Sequence, residues 1–179
     1  MAQEAELEHQ SLHKLHRALG GGLWLNMSGS DEKAEKLSQQ LRDAERLTHL
    51  GVAGYEGLPK ATGKHIEIFI GNTDGSTAGS WCPDCRNAVP VILESVLPFK
   101  DVLVVAVGVG ERDDWKLDAR GASNPFRAET GLALTGVPTM RIVDADGTEI
   151  SRLGSELEVS DAAEVAKAVD ESLKKHLMS

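Results

Sequence analysis

Trp81-Cys82-Pro83-Asp84-Cys85 contains both cysteines of the chain, and its spacing decides how the rest is read. A C-x-x-C pair in an otherwise thiol-free chain points to a redox couple, because a disulfide framework would need further cysteines. At the start of a helix the two positions differ in kind. Cys82 stands at the open end, where unpaired backbone N–H groups and the helix dipole favour a thiolate. Cys85 lies one turn in, close enough to attack a mixed disulfide on Cys82, and so reads as the resolving thiol. Pro83 suits the first helical turn, where its missing N–H is no loss. Two other readings compete. Zinc needs four ligands, and His9, His13, His16, His49, His65 and His176 do not pair with the cysteines at a recognised zinc spacing. A static disulfide closing so short a loop adds little stability. The redox dithiol is the stronger reading.

The neighbours of the two sulfurs set the expected chemistry. Asp84 lies between them; its charge opposes a nearby thiolate while suiting the helix N-terminus. Cys82 should therefore be less acidic than beside a basic residue, which favours a reducing couple over an oxidase or isomerase. Trp81 reads as a partly exposed apolar platform beside the sulfur.

Working outward, Gly71 to Ser80 is a loop of small residues without the Gly-Lys-Ser/Thr ending of a phosphate-binding loop. It follows a strand, His65 to Ile70. The helix from Pro83 carries Ala88, Ile92, Leu93 and Val96 and is kinked by Pro90. Val102 to Val107 is apolar and β-branched, as a strand buried on both faces would be. The cysteines thus fall between the end of a strand and the start of a helix, where open α/β sheets place their sites. Further on, Phe126 to Leu134 reads as a short helix, with Trp115 and Phe126 as packing residues. Thr139 to Val143 and Thr148 to Leu153 read as antiparallel strands around Asp144-Ala145-Asp146-Gly147. That turn is no calcium loop, since the acidic last ligand is missing. Asp161 to Leu177 is amphipathic.

Upstream, residues 2 to 19 read as a helix with Leu7, Leu12, Leu15 and Leu19 on one face, stopped by Gly20-Gly21-Gly22. Leu23 to Met27 reads as an edge strand. A second helix, capped by Ser30, spaces Ala34, Leu37, Leu41, Ala44 and Leu47 along one face. Gly51 to Gly63 is a connection. His9, His13 and His16 share a helical face at a spacing that suits a metal, but a solvated face is the simpler reading. The expected organisation is a helical extension over 1–21 and one domain over 22–179.

Composition narrows the partners. The 179 residues are 41% hydrophobic and 26% charged, with a net charge of −9. No basic stripe offsets that charge, which argues against nucleic acid and anionic membrane. No apolar run has the length of a membrane span. The acidic N-terminus reads as neither a secretory signal nor a transit peptide, and two lone thiols suit a reducing compartment, so the cytoplasm is the expected location.

Three features together resemble a thioredoxin fold: the Trp81–Cys85 motif, Pro90 in the active-site helix, and Val137-Pro138-Thr139. In thioredoxins the proline matched by Pro138 is cis and lies against the cysteine pair; the resemblance implies that the Val137 backbone pairs with substrate. Ser80 to Cys85, Ala88-Val89-Pro90-Val91-Ile92, Trp115-Lys116 and Asn124-Pro125-Phe126-Arg127 narrow the resemblance to the thioredoxin domain-containing protein 17 family. It is most specific from Phe69 to Met140. It implies an α/β thioredoxin-like fold, a mixed central sheet flanked by helices, with the N-terminal helix as an addition. It also implies reduction of small or selected protein disulfides, with no bound cofactor and electrons from NADPH through thioredoxin reductase. The stretch between Trp115 and Asn124 is longer here. No counterpart of the buried aspartate of thioredoxins is evident; Glu67 is the candidate. Competing functions are a redox-sensing adaptor that docks through the acidic surface and N-terminal helix, and a glutathione-dependent oxidoreductase.

Overall fold

A computed structural model describes residues 28–56, 63–116, 124–128 and 132–178. The helix expected over 2–19 and the edge strand expected over 23–27 lie outside the described residues. Among the described residues, β1 (Leu47–Leu50), β2 (His65–Ile70), β3 (Leu103–Gly108), β4 (Thr139–Val143) and β5 (Glu149–Leu153) form one sheet in the order β1-β3-β2-β4-β5. β1 and β2 run parallel to β3, while β4 is antiparallel to β2 and β5 to β4. The sheet is mixed, as expected of a thioredoxin-like fold. β2 is central and buried along its whole length, which explains its apolar composition.

The helices are α1 (Ser28–Asp43), α2 (Val52–Glu56), α3 (Pro83–Val96), α4 (Arg112–Lys116) and α5 (Ala162–Leu177). α3 packs against both α1 and α5. Ala88, Val89, Ile92, Leu93 and Val96 are fully buried, and Pro90 sits inside the same helix. α5 begins where the sequence places it: the Asp161 carboxylate accepts from the Ala163 amide at 2.8 Å, satisfying one of the open N–H groups of the first turn. No helix among the described residues is long and apolar enough to cross a membrane.

Three expectations need correction. α1 stops at Asp43 rather than running through Leu47. Glu45 takes a positive φ of 56° and the Arg46 amide closes back on Leu41 O at 2.8 Å, a left-handed stop of the kind that ends helices. Leu47 is buried as the first residue of β1 instead. The Gly51–Gly63 connection holds the short helix α2. The helix expected from Phe126 is replaced by turns at 124–128, where the Asn124 side chain accepts from the Phe126 amide at 3.1 Å, a local bond that competes with helix formation.

The far end of α3 is held by Arg46. Its guanidinium donates to Val96 O at 3.0 Å, Leu97 O at 3.1 Å, Phe99 O at 2.6 Å and Val102 O at 3.1 Å. Helix C-termini leave carbonyls without partners, and a cation there also meets the negative end of the dipole. The same burial lowers the Arg46 pKa, with Asp101 opposing the shift.

Candidate active site

The loop from Gly71 to Ser80 carries the chain from β2 to α3 and is held at both ends. Asn72 Oδ1 accepts from the Gly75 amide at 2.8 Å, and Asn72 O accepts from the Gly110 amide at 2.8 Å. Gly75 has φ +73°, and a Cβ there would come within 2.2 Å of Ala106 O and 2.6 Å of Leu50 O. Two sheet strands therefore crowd the loop backbone, and only glycine fits. Thr77 hydrogen-bonds Ser38 of α1, whose hydroxyl reaches Ala34 O at 2.7 Å.

Cys82 is the N-cap of α3, with Pro83 in the first turn. Both cysteines are free thiols; Cys82 is 7% exposed and Cys85 is wholly buried. The Cys82 amide donates to Ser80 Oγ at 3.1 Å, and Ser80 Oγ donates to Gly71 O at 2.8 Å. Cys82 Sγ donates to Val137 O at 3.3 Å. The Val137–Pro138 peptide is cis, and both residues are buried beside the sulfur.

The two thiols differ in acidity. The hydrogen bond from the Cys85 thiol, then the backbone amides of Cys85 and Asp84, bring the Cys82 pKa down to about 7, against burial and the charge of Asp84. Burial pushes Cys85 well up, and its hydrogen bond to Cys82 and the nearby thiolate charge add to the shift. The pair thus has one thiol poised as a nucleophile near neutral pH and one that holds its proton.

Around them, Trp81 is half-buried, and its Nε1–H donates to Gly110 O at 2.9 Å. Gly71 fits beneath that ring: a Cβ would approach the indole at 2.8 Å and Cys82 Cβ at 3.1 Å. Asp84 is half-buried and Pro83 exposed. Trp81, Cys82, Pro83, Asp84, Cys85, Val137 and Pro138 are therefore brought to one end of the sheet. Trp115 and Phe126 are buried, with the Arg127 guanidinium 4.8 Å over the Trp115 ring. Ser80, which was not among the expected site residues, contacts Cys82 through its hydroxyl and ties it to Gly71 O.

Glu67 is not with them. It is 3% exposed, but Arg141 Nε donates to it at 2.6 Å, Tyr55 Oη at 3.1 Å, and His65 Nε2 lies 3.0 Å away. Alternation along β2 sets His65, Glu67 and Phe69 on one face and Ile66, Ile68 and Ile70 on the other. Tyr55 of α2 packs edge-on against Phe69 and Phe126 on the Glu67 face. Burial opposes the Glu67 charge, but the His65 and Arg141 hydrogen bonds and the guanidinium lower its pKa below the ordinary value. Burial, then the charge and hydrogen bond of Glu67, push Tyr55 up to about 12, with Arg141 opposing.

A family model described as "Thioredoxin domain-containing protein 17-like, thioredoxin domain" matches residues 42–160. The chain belongs to that family. Its similarity to the "Thioredoxin-like protein Clot" of Oryza sativa subsp. japonica is 36% identity over 108 residues, covering 58% of this chain and 70% of the rice protein. The Arabidopsis thaliana protein of the same name is 35% identical over 83 residues, 46% of this chain and 59% of that one. "Thioredoxin domain-containing protein 17" of Homo sapiens is 35% identical over 100 residues, 53% of this chain and 76% of the human protein. Among solved structures, mitochondrial thioredoxin 3 from Saccharomyces cerevisiae in its oxidized form aligns with a TM-score of 0.42 and 17% identity, covering 70% of this chain and 93% of that one. Family membership assigns this thioredoxin-like domain a thioredoxin-type redox role, oxidoreductase in general class.

Proposed function

We propose that this protein is a dithiol–disulfide reductase acting on small or selected protein disulfides. The observation that carries the proposal is the placement of two free thiols at one helix N-terminus, Cys82 as its N-cap with the sulfur 3.3 Å from Val137 O and Cys85 wholly buried one turn in. The lowered Cys82 pKa and raised Cys85 pKa agree with it. Cys82 is the nucleophile. Its thiolate attacks one sulfur of the substrate disulfide, forms a mixed disulfide and expels the other half as a thiolate. Cys85 then attacks Cys82 Sγ, closing a Cys82–Cys85 disulfide and releasing the second half. Two electrons pass from the protein dithiol to the substrate.

The supporting residues have separable tasks. Val137 offers backbone beside the sulfur for an extended substrate segment, and Pro138 fixes that edge at the start of β4. Trp81 covers the flank of Cys82 while its ring is anchored on Gly110 O. Pro83 starts the helix, and Asp84 tempers the acidity of Cys82. No cofactor is needed for the exchange itself. The oxidised pair is returned to the dithiol by electrons from NADPH through thioredoxin reductase, and the working compartment is the cytoplasm.

The test is NADPH oxidation in the presence of thioredoxin reductase and cystine, with the protein and its Cys82→Ser variant side by side. Turnover by the protein and none by the variant is the expected result. Absence of turnover from folded protein with both thiols free would overturn the coupling to thioredoxin reductase and transfer the case to glutathione as donor.

A further inference from the structure

Trp81 flanks the nucleophile, and its position is set from outside the cysteine motif. A Cβ at Gly71 would lie 2.8 Å from the indole and 3.1 Å from Cys82 Cβ, so the ring and the sulfur-bearing carbon stand side by side over that glycine. The indole is anchored by its hydrogen bond to Gly110 O at 2.9 Å. A glycine is a weak choice of anchor. Its φ of +111° lies where L side chains rarely go, and it has no side chain to hold its carbonyl in one direction. That direction must come from its neighbours.

The peptide unit joining Val109 to Gly110 is planar, and it is pinned at both ends. On one side the Gly110 N–H donates to Asn72 O at 2.8 Å. On the other, Val109 O accepts from Asn124 Nδ2 at 2.9 Å. Asn124 is 4% exposed and uses both ends of its carboxamide, since Oδ1 accepts from the Phe126 amide at 3.1 Å. That pairing of donor and acceptor fixes which way the carboxamide points. The turn that carries Asn124 is itself fastened: Arg127 donates to Trp115 O at 2.8 Å, and the Leu134 amide donates to Phe126 O at 2.8 Å. Asn124 thus ties a held turn to the peptide whose tilt aims Gly110 O.

We propose that Asn124 is a positioning residue for the exchange reaction: through the Val109–Gly110 peptide it aims Gly110 O at the Trp81 indole, and so fixes how far the ring closes over Cys82. This rests on the reading of Cys82 as the nucleophile. A substrate disulfide must reach the Cys82 sulfur between the Trp81 ring and the Val137 backbone, whose carbonyl oxygen is 3.3 Å from that sulfur. A ring held in place keeps the opening narrow and leaves Cys82 7% exposed. A ring set free widens it. Asn124 controls this without taking part in any bond that forms or breaks.

Alkylation of Cys82 by iodoacetamide reads that cover without any disulfide substrate. Rates are compared on the plateau of the pH profile, where the thiol is fully ionised. Asn124→Asp keeps an acceptor for the Phe126 amide and gives up the donor to Val109 O. Its plateau rate should rise about fivefold, the scale of one neutral hydrogen bond. Trp81→Phe keeps an aromatic ring without the N–H, leaves Asn124 in place and should give a rise of the same order. On the Trp81→Phe background Asn124→Asp should add less than about twofold, because both act through one contact. A wild-type rate in Trp81→Phe or in folded Asn124→Asp would overturn the proposal, as would full multiplication of the two effects in the double variant. The reductase reading fails separately: absence of cystine turnover by the wild-type protein would sink it and leave the alkylation rates as they are.

Discussion

Cys82 Sγ and the Val137 carbonyl are 3.3 Å apart, so the nucleophile already faces the backbone edge where a substrate would lie. That proximity makes the charge state of Cys82 the variable that controls reaction. With a pKa of about 7, the alkylation rate of Cys82 should climb as pH rises through about 7 and then level off. Cys85 should stay unlabelled under the same conditions. Asp84→Asn removes the charge that opposes the thiolate, so its midpoint should fall below that of the parent. A midpoint that stays put or rises would remove Asp84 from the account. Alkylation followed by mass spectrometry measures both.

Gly71→Ala places a methyl group 2.8 Å from the Trp81 ring and 3.1 Å from Cys82 Cβ. One neighbour must move, and the indole is held at Gly110 O. Overpacking of this kind costs about 1–3 kcal/mol. Denaturant unfolding should show that loss, and tryptophan fluorescence should show a displaced indole. Unchanged stability and spectrum would mean that the loop yields more readily than its contacts suggest.

Glu67→Ala should destabilise the fold by about 3 kcal/mol at neutral pH, because it removes the close anion of the buried Arg141 guanidinium and leaves only the more exposed Glu149, 3.5 Å away. The folded-state pKa of Glu67 lies below its ordinary value. Its contribution is therefore complete above the unfolded carboxylate pKa of about 4.3 and is lost as pH falls through the lower, folded value. The stability gap between parent and variant should be steady above about pH 5 and shrink on acidification below that. The pH profile of Cys82 alkylation should not move, since Glu67 lies on the other side of β2. A moved profile would restore Glu67 to the active site.

Arg46→Ala removes the contacts to Val96 O and Leu97 O at the end of α3 and to Phe99 O and Val102 O in the turn beyond it, and should cost roughly 2–4 kcal/mol, on the scale of a lost charged hydrogen-bond cluster. Arg46→Lys should recover only part of this, because an ammonium cannot span the four acceptors that a guanidinium reaches. Hydrogen exchange of the amides near Val96 and Leu97 would locate the damage. Full recovery by lysine would show that charge alone, and not the planar fork, holds the helix end.

The parts of the fold that were legible beforehand are those with a strong local pattern. The cysteine pair, the buried β2 and β3, the hairpin around Asp144–Gly147 and the capped α5 all carry their signals within a few residues. β1 was hidden because Leu41, Ala44 and Leu47 continue a helical spacing, and the interruption is made by the backbone at Glu45, whose side chain gives no warning. Asn124 hides a turn in the same way, since its side chain competes for the amide that a helix would use. Glu67 shows a subtler limit. Alternation tells which residues of β2 share a face, but not which face meets α3. Ser80 is harder still: a serine before a tryptophan has no chemical mark, and its bonds to the Cys82 amide and Gly71 O exist only once the loop has folded.

The glycines of the loop define how much of this active site is portable. Gly75 lies against the backbone of both β1 and β3, and a Cβ at Gly108 would come within 2.5 Å of the Gly75 amide and 2.6 Å of Asn72 O. The five residues around the cysteines therefore do not make a transplantable cassette. A designer moving this chemistry to another scaffold must carry Gly71 through Cys85 whole, together with a receiving strand that has no side chain where Gly108 stands.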